Sequence, residues 1–367
     1  MSTRGAPLVL LAAGGTGGHL FPAEALALAL AKRGVSIELA TDERASRYGG
    51  SFPARATHLI PSATIRGRNP LQLARTAAVL MGGTLRAWRL LGQIRPAAVI
   101  GFGGYPTIPP VMAGIVRGIP TLIHEQNGVM GRANRLLASR VTAIATSFPD
   151  VVRDKALITK VTRTGNPIRP AVAAAAAMAY STPDPTGPLR LLVFGGSQGA
   201  RIMADIVPSA IEALDAGIRA RLSVVQQARD DDFERVRSAY ARLDVKAEVA
   251  PFFPDLPARI AAAHLIVSRS GASTVAELAA IGRPGILVPL PHALDQDQLA
   301  NARVLEKVGG AIVIQQKDFT PQHLAGEIGA LAGAPARLGA MAVAAQSAGA
   351  LDAAERLADL VCRTAGI

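Results

Sequence analysis

The residues best suited to chemistry lie in the glycine run Gly14-Gly15-Thr16-Gly17-Gly18-His19. It follows the apolar stretch Leu8 to Ala13 and precedes Leu20-Phe21-Pro22 and the helix-forming run Ala23 to Ala31. Glycine lets the backbone approach an anion closely, and the free amides of a helix start add donors and partial positive charge. This order suits a phosphate, although a tight strand-to-helix turn also needs glycine for geometry alone. The run matches neither GxGxxG nor GxxxxGK[ST], so the dinucleotide and P-loop fingerprints are both absent.

A second loop of the same kind, Gly195-Gly196-Ser197-Gln198-Gly199-Ala200, joins the apolar strand Leu191 to Phe194 to a helix beginning near Arg201. Two such loops with different polar residues point to a two-substrate site rather than a single bound cofactor. A third cluster, Ser268 to Glu277, again leads from a strand into a helix; its Thr274-Val275-Ala276-Glu277 also reads as a capping box that needs no ligand. Gly101-Phe102-Gly103-Gly104-Tyr105 and His124-Glu125-Gln126-Asn127 each follow an apolar strand. His19 or His124, or Glu125 if burial raised its pKa, could act as a general base there. Asp295-Gln296-Asp297 has the acid-x-acid form of a metal pair but lacks a strand-end context, while Gln298 and Asn301 suit sugar hydroxyls. Asp42, after the second strand, keeps a ribose-binding, oxidoreductase reading open.

These loops must be held by alternating strands and helices. Strands are expected at Leu8 to Ala13, Ser36 to Ala40, Ala97 to Gly101, Thr121 to His124 and Val141 to Ala145. In the second half they are expected at Leu189 to Phe194, Arg221 to Val225, Lys246 to Ala250, Leu265 to Ser268, Gly285 to Val288 and Ala311 to Ile314. Between the two series lies a low-complexity break, Ala171 to Pro188. The fold class is therefore α/β, with two Rossmann-like domains whose parallel sheets face each other across a cleft and bind ligands beyond their carboxyl ends. A length of 367 residues accommodates two such cores.

Half the residues are hydrophobic and 18% are charged, which excludes a disordered chain. No apolar run approaches the roughly 18 residues of a membrane span, and Leu8 to Ala13 is too short for a signal-peptide core, so a cytoplasmic protein is expected. The lone Cys362 reads as an ordinary helix residue. A net charge of +12 implies an anionic partner, and the scarcity of aromatics, nine Phe, four Tyr and one Trp, argues against nucleic acid. Asn69-Pro70 opens a helix whose Leu71, Ala74, Ala78, Met81, Leu85 and Trp88 form one apolar stripe among Arg66, Arg68, Arg75, Arg86 and Arg89. That combination suits an anionic membrane surface; the alternative is a stripe buried in the core, with Gly82-Gly83 weakening the helix.

Taken together, Gly14 to His19, Gly103 to Tyr105, His124 to Asn127, Gly165-Asn166-Pro167-Ile168-Arg169, Gly195 to Ala200, Ser268 to Glu277 and Gln298 to Asn301 resemble the MurG family of peptidoglycan glycosyltransferases over nearly the whole chain. The resemblance implies a GT-B fold and an inverting transfer of GlcNAc from UDP-GlcNAc to the C4 hydroxyl of MurNAc-pentapeptide on undecaprenyl diphosphate, converting lipid I to lipid II. It implies an acceptor and membrane-side domain over 1–165 and a UDP-GlcNAc domain over 166–348, with a last helix over about 349–365 packing back on the first. Carried over by position, donor contacts fall on Thr16, Gly17, Gly18, Asn127, Arg169, Ser197, Phe253, Ala272, Ser273, Thr274, Val275, Ala276, Glu277 and Gln298. Glu277 would hold the ribose hydroxyls, His19 and Glu125 are the catalytic candidates, and Gly103, Gly104, Tyr105 and Asn301 are acceptor or cleft candidates.

The resemblance implies no cofactor and no metal, helix-start amides stabilising the leaving UDP instead. It places the protein peripherally on the cytoplasmic side of the inner membrane. Where the family usually has a serine two places after the tyrosine, this chain has Thr107, which keeps a hydroxyl. A glycolipid synthase using a UDP-sugar, and more remotely an NAD-dependent oxidoreductase, are the alternatives.

Overall fold

Short apolar runs become buried parallel strands when helices cover both faces of a sheet, and the chain builds two such sheets. The computed structural model describes residues 6–14, 17–43, 52–64, 69–196, 199–291 and 296–367. The chain divides into one unit of Met1–Arg169 with Ala350–Ile367, and a second of Pro170–Gly349. Asn166 and Ile168, both buried, fall within the first unit.

In the first unit, β1 (Leu8–Ala12), β2 (Ser36–Thr41), β3 (Ala56–Leu59), β4 (Ala98–Gly101), β5 (Thr121–Glu125), β6 (Ala143–Thr146) and β7 (Val161–Arg163) lie in the order β3-β2-β1-β4-β5-β6-β7. In the second, β8 (Leu189–Phe194), β9 (Leu222–Gln227), β10 (Lys246–Ala250), β11 (Leu265–Ser268), β12 (Gly285–Leu287) and β13 (Ala311–Val313) lie in the order β10-β9-β8-β11-β12-β13. Each pairing is parallel, for example Ala12 with Gly101 and Phe194 with Ser268. In both sheets the winding reverses beside the opening strand, between β1 and β4 and between β8 and β11. Loops leaving the carboxyl ends of those strands splay apart and leave a crevice for a ligand.

The strands β3 and β7 escape the hydrophobic pattern because they are short edge strands, half exposed and partly polar. The charged Glu38 is buried in β2 because Arg55 and His58 reach its carboxylate at 2.7 and 2.8 Å from beside and within β3. These bonds outweigh the burial that raises its pKa, and hold the carboxyl below its ordinary value.

The apolar face of the helix Ala353–Ala365 closes the first unit, burying Leu357, Ala358, Leu360 and Val361 in the same core as Leu26 and Leu30 of the helix Gly17–Ala31. Arg33 pins it through Glu355 and Asp359, at 2.8 and 2.7 Å. Cys362 sits half-buried on this helix.

The helix Pro70–Ile94 is capped by Asn69, whose side chain accepts from the Leu71 amide. It runs unbroken through Gly82 and Gly83. A Cβ on Gly83 would lie 2.1 Å from the Pro61 carbonyl oxygen, so this glycine permits close packing. The buried face is Gly83, Ala87 and Leu91, whereas Leu71 is 81% exposed, Met81 71%, and Ala74, Ala78, Leu85 and Trp88 are also exposed. The stripe expected as a possible core face is therefore the outer face. Arg117 lies 3.9 Å from the centroid of the Trp88 ring and donates to the Trp88 carbonyl, holding the ring in place.

Among the described residues, no single helix is long and apolar enough to cross a membrane. The bent pair Pro321–Ala332 and Pro335–Ser347 is sufficiently apolar only when both are counted together, and it buries Leu324, Ile328, Leu331, Leu338 and Met341 in the second unit's core.

Candidate active site

The crevice of the first unit is formed by the loops after β1 and β4. Thr16 lies outside the described residues; Gly17 opens its helix buried, with Gly18 exposed beside it. Gly103 and Gly104 both take positive φ, +81° and +74°, which lets their chain turn against the His19 ring. A Cβ on Gly103 would sit 3.4 Å from His19 Cε1, and one on Gly104 3.4 Å from its Nε2. The half-buried imidazole thus lies on the Gly103-Gly104 loop after β4, with this loop and the loop after β1 both at the sheet's reversal point. Tyr105 starts the short turn Tyr105–Thr107 and is half exposed. The Thr107 hydroxyl is fully buried and donates to the Gly104 carbonyl at 2.8 Å, so it closes the turn.

The edge after β5 is built differently. Glu125 is buried, and its carboxylate accepts from the Asn127 amide (3.0 Å), Asn127 Nδ2 (3.1 Å), the Gly131 amide (2.9 Å) and Asn134 Nδ2 (2.8 Å). Burial raises its pKa, against the opposing effect of these donors. Four donors occupy the acceptor positions of the two oxygens, so Glu125 as seen here gathers the loop 126–134 rather than offering a lone pair outward. Asn127 is thereby fixed at the loop's start. Asn134, which sequence reading passed over, also donates to the His124 carbonyl, 3.1 Å away. An asparagine buried in a helix without a cap role is the signal that would have marked it.

His124 is fully buried, and its Nε2 donates to the Gly165 carbonyl at 3.0 Å. Burial pushes its pKa down to about 4, with the carbonyl bond opposing and the nearby His19 adding to the fall. Fully buried and bonded through Nε2 to Gly165, it is a structural imidazole, and the reading of His124 as a general base is corrected on that ground. Arg169 ends the unit with its guanidinium 4.1 Å from the centroid of the Phe21 ring.

In the second unit the loop after β8 follows the same plan with tighter packing. Ser197 lies outside the described residues; Gly196 and Gly199 take φ of +89° and +67°. The Gly195 amide donates to Gln227 Oε1, and Gln227 in turn donates to the Pro251 carbonyl. Phe253 is buried beneath Arg259, whose guanidinium lies 4.3 Å from the ring centroid, while its neighbour Phe252 is 64% exposed just beyond β10.

After β11, Gly271 caps the helix Ala272–Ile281 without any side-chain bond. Thr274 is the helix's third residue and not its cap, which corrects the capping-box reading; Glu277 is largely buried. Ala272, Ser273, Thr274 and Ala276 are half exposed on the first turns, and Val275 points into the core. Ser270 Oγ donates to the Gln298 carbonyl (2.8 Å), and the Leu290 amide donates to Gln298 Oε1 (3.0 Å). This orients the Gln298 side chain, leaving its amide nitrogen as the donor end. Arg269 holds the same loop by donating to the carbonyls of Val288 and Pro289.

Asn301 belongs elsewhere than expected: it is fully buried in the second unit and donates to the Ser270 carbonyl, so it braces the loop rather than facing the acceptor. Asp295 lies outside the described residues, and Asp297 accepts from the Gln298 amide at its helix start. Among the described residues, no three His, Cys, Asp or Glu side chains are grouped to hold a metal ion. Asp42 lies close to Gly14, whose added Cβ would be 3.2 Å from Asp42 Oδ1.

Residues 9–146 match the glycosyltransferase family 28 N-terminal domain and residues 190–357 its C-terminal domain. The chain is 64% identical over 363 residues, 99% of its length and 97% of the relative's, to the UDP-N-acetylglucosamine--N-acetylmuramyl-(pentapeptide) pyrophosphoryl-undecaprenol N-acetylglucosamine transferase of Rhodopseudomonas palustris (strain BisB18). It is 62% identical to the protein of the same name from Nitrobacter winogradskyi, with 98% of each chain covered. The crystal structure of Acinetobacter baumannii MurG superimposes with a TM-score of 0.79 at 30% identity, covering 97% of this chain and 99% of that one. A UDP-GlcNAc 2-epimerase from Neisseria meningitidis, bound to UDP-GlcNAc, shares the fold at 14% identity and a TM-score of 0.68. Sequence, fold and the two glycine-loop crevices agree: the chain belongs to the MurG family of family 28 glycosyltransferases, enzymes of the GT-B fold.

Proposed function

We propose that this enzyme moves GlcNAc from UDP-GlcNAc to the C4 hydroxyl of MurNAc-pentapeptide carried on undecaprenyl diphosphate, with inversion at the anomeric carbon. The names of its relatives state this donor and acceptor. The observation that carries the chemistry is the His19 imidazole resting on Gly103 and Gly104 at the reversal point of the first sheet. A neutral imidazole there can take up the hydroxyl proton. In the transfer, the acceptor C4 oxygen bonds to the anomeric carbon as the bond from that carbon to the UDP oxygen breaks. The hydroxyl proton passes to His19, and UDP leaves carrying the electron pair. Glu125 acts at one remove by fixing Asn127 and the loop 126–134.

Donor binding falls to Thr16, Gly17, Gly18, Asn127, Arg169, Ser197, Phe253, the helix start Ala272 to Glu277, and Gln298. Gln298 supports the assignment by presenting an amide nitrogen that suits a sugar oxygen. No metal enters this reading: oriented backbone amides at the loops and helix starts neutralise charge developing on the diphosphate.

The enzyme works peripherally at the cytoplasmic face of the inner membrane. Support comes from the helix Pro70–Ile94, where exposed Leu85 and Trp88 stand among exposed Arg75, Arg86 and Arg89; Arg66 and Arg68 lie outside the described residues. An apolar stripe edged with guanidiniums suits insertion among anionic head groups.

The test is purified enzyme with UDP-GlcNAc and a lipid I analogue in liposomes, with UDP release and labelled disaccharide lipid as readouts. Absence of both in vesicle-bound protein refutes the assignment. For the surface, the double change Leu85→Glu and Trp88→Glu should lower co-sedimentation with anionic vesicles by at least about tenfold, since the loss of even one fully buried large apolar side chain costs roughly 1.5–3 kcal/mol. Turnover of a water-soluble acceptor should stay unchanged.

A further inference from the structure

The face of Phe21 carries the Arg169 guanidinium, and its distal edge abuts Gly17. In a helix, residues four apart share a face and long side chains lean toward the N-terminus. Phe21 therefore projects back over Gly17, one turn away, toward the first glycine loop. A Cβ on Gly17 would lie 2.8 Å from Phe21 Cε2 and 3.0 Å from Cζ, so the ring occupies the volume an alanine there would need. On the ring's face, the Arg169 Cζ lies 4.1 Å from the centroid, close enough for a cation–π attraction. Phe21 is only half-buried, so its ring does not serve the core alone. The first turn of this helix contains no acidic residue. The ring thus holds a guanidinium over a helix start that already carries partial positive charge, an arrangement that favours an anion nearby.

We propose that Phe21 is a positioning residue for the donor: it fixes Arg169 over the start of the helix Gly17–Ala31, so that the guanidinium meets the nucleotide already oriented. The proposal rests on the reading of Arg169 as a donor contact. An unstacked arginine must lose rotamer freedom when it binds, and holding it beforehand removes that cost from donor affinity. The effect belongs to binding and not to the transfer step.

The test compares full-length enzyme with Phe21→Leu, Phe21→Tyr, Arg169→Gln and the double variant Phe21→Leu with Arg169→Gln. The readouts are kcat, KM for UDP-GlcNAc, direct UDP affinity and melting temperature. Phe21→Leu should raise KM for UDP-GlcNAc and weaken UDP binding about threefold to fivefold, the span of an exposed cation–π contact, with kcat changed less than about twofold. Phe21→Tyr, which keeps the ring, should restore both. In the Arg169→Gln background, Phe21→Leu should add nothing. An equal KM rise from Phe21→Leu with and without Arg169 would overturn the proposal by showing that the ring acts through the fold, as would an unchanged KM in Phe21→Leu. If Arg169→Gln alone left KM and UDP affinity unchanged, the donor assignment of Arg169 itself would fall, and the role of Phe21 with it.

Discussion

The two glycine loops occupy the same place in two sheets of the same winding, yet they are supported differently. Gly195 is wedged against backbone: a Cβ there would lie 2.2 Å from the Ala200 nitrogen and 2.5 Å from the Gly199 carbonyl carbon, and its amide is bound by Gln227. Gly14 faces side chains, with Pro106 at 3.1 Å and Asp42 at 3.2 Å from the same construction. A 2.2 Å approach to backbone cannot be relieved locally, whereas at 3.1–3.2 Å Pro106 and Asp42 need give by only a few tenths of an ångström. Gly195 thus opens a cradle walled by backbone, and Gly14 a frame walled by side chains. A common fold fixes where a ligand sits but not what is done to it.

The largest expected break between the two is catalytic. His19→Ala should lower kcat by about 10²–10⁴, the usual contribution of a general base, with KM for UDP-GlcNAc changed less than about threefold. Steady-state kinetics on the lipid I analogue checks this. Full turnover in the variant would leave the first loop a binding frame only, and erase the distinction drawn here between the loops.

Next comes the contrast between cradle and frame. Gly195→Ala should destabilise the protein by about 3 kcal/mol and Gly14→Ala by about 1 kcal/mol, the upper and lower parts of the range for overpacking. Denaturant melts of the two variants measure the difference. Equal losses would mean that Pro106 and Asp42 are held as firmly as backbone.

Much of this division was legible in the sequence. Strand, glycine run and helix start recur in both halves because parallel strands buried on two faces need continuous apolar runs, which are easy to read. Edge strands are not so written: β3 and β7 pair on one side only, so polar residues such as Thr57, His58 and Thr162 are tolerated. Hydrophobic spacing found the stripe Leu71 to Trp88 but not its direction, because small residues, Gly83 and Ala87, bury the opposite face against Pro61 and Pro109. The spacing of Thr274 and Glu277 imitated a capping box because the true helix start, Gly271, lacks a side chain. The burial of His124 and Asn301 comes with contacts 41 and 31 residues away, to Gly165 and Ser270, that local pattern does not encode; the donors on Glu125 all lie within nine residues of it, and only the fold of that loop turns them onto one carboxylate.

The smallest effect compares two buried histidines, one in each unit. His124 lies at the ligand-facing end of β5. His264 lies at the opposite end of its sheet, just before β11, where its Nδ1 accepts from the Arg190 amide and Tyr180 donates to its carbonyl. Burial pushes both pKa values down to about 4, and the charges of Arg190 and Arg283 assist at His264. Because the folded pKa lies below the unfolded value of about 6.5, the unfolded chain binds more protons between these limits. The stabilisation is therefore complete above about pH 6.5 and is lost as pH falls toward 4, by on the order of 1 kcal/mol per histidine at pH 5.5. Melts at pH 7.5 and 5.5 should show each single replacement, His124→Asn or His264→Asn, reducing the acid-induced loss by that amount. Only His124→Asn should also lower turnover at pH 7.5, because its neighbours Glu125 and Asn134 set the loop beside His19, whereas His264 serves the fold at the far edge of its sheet.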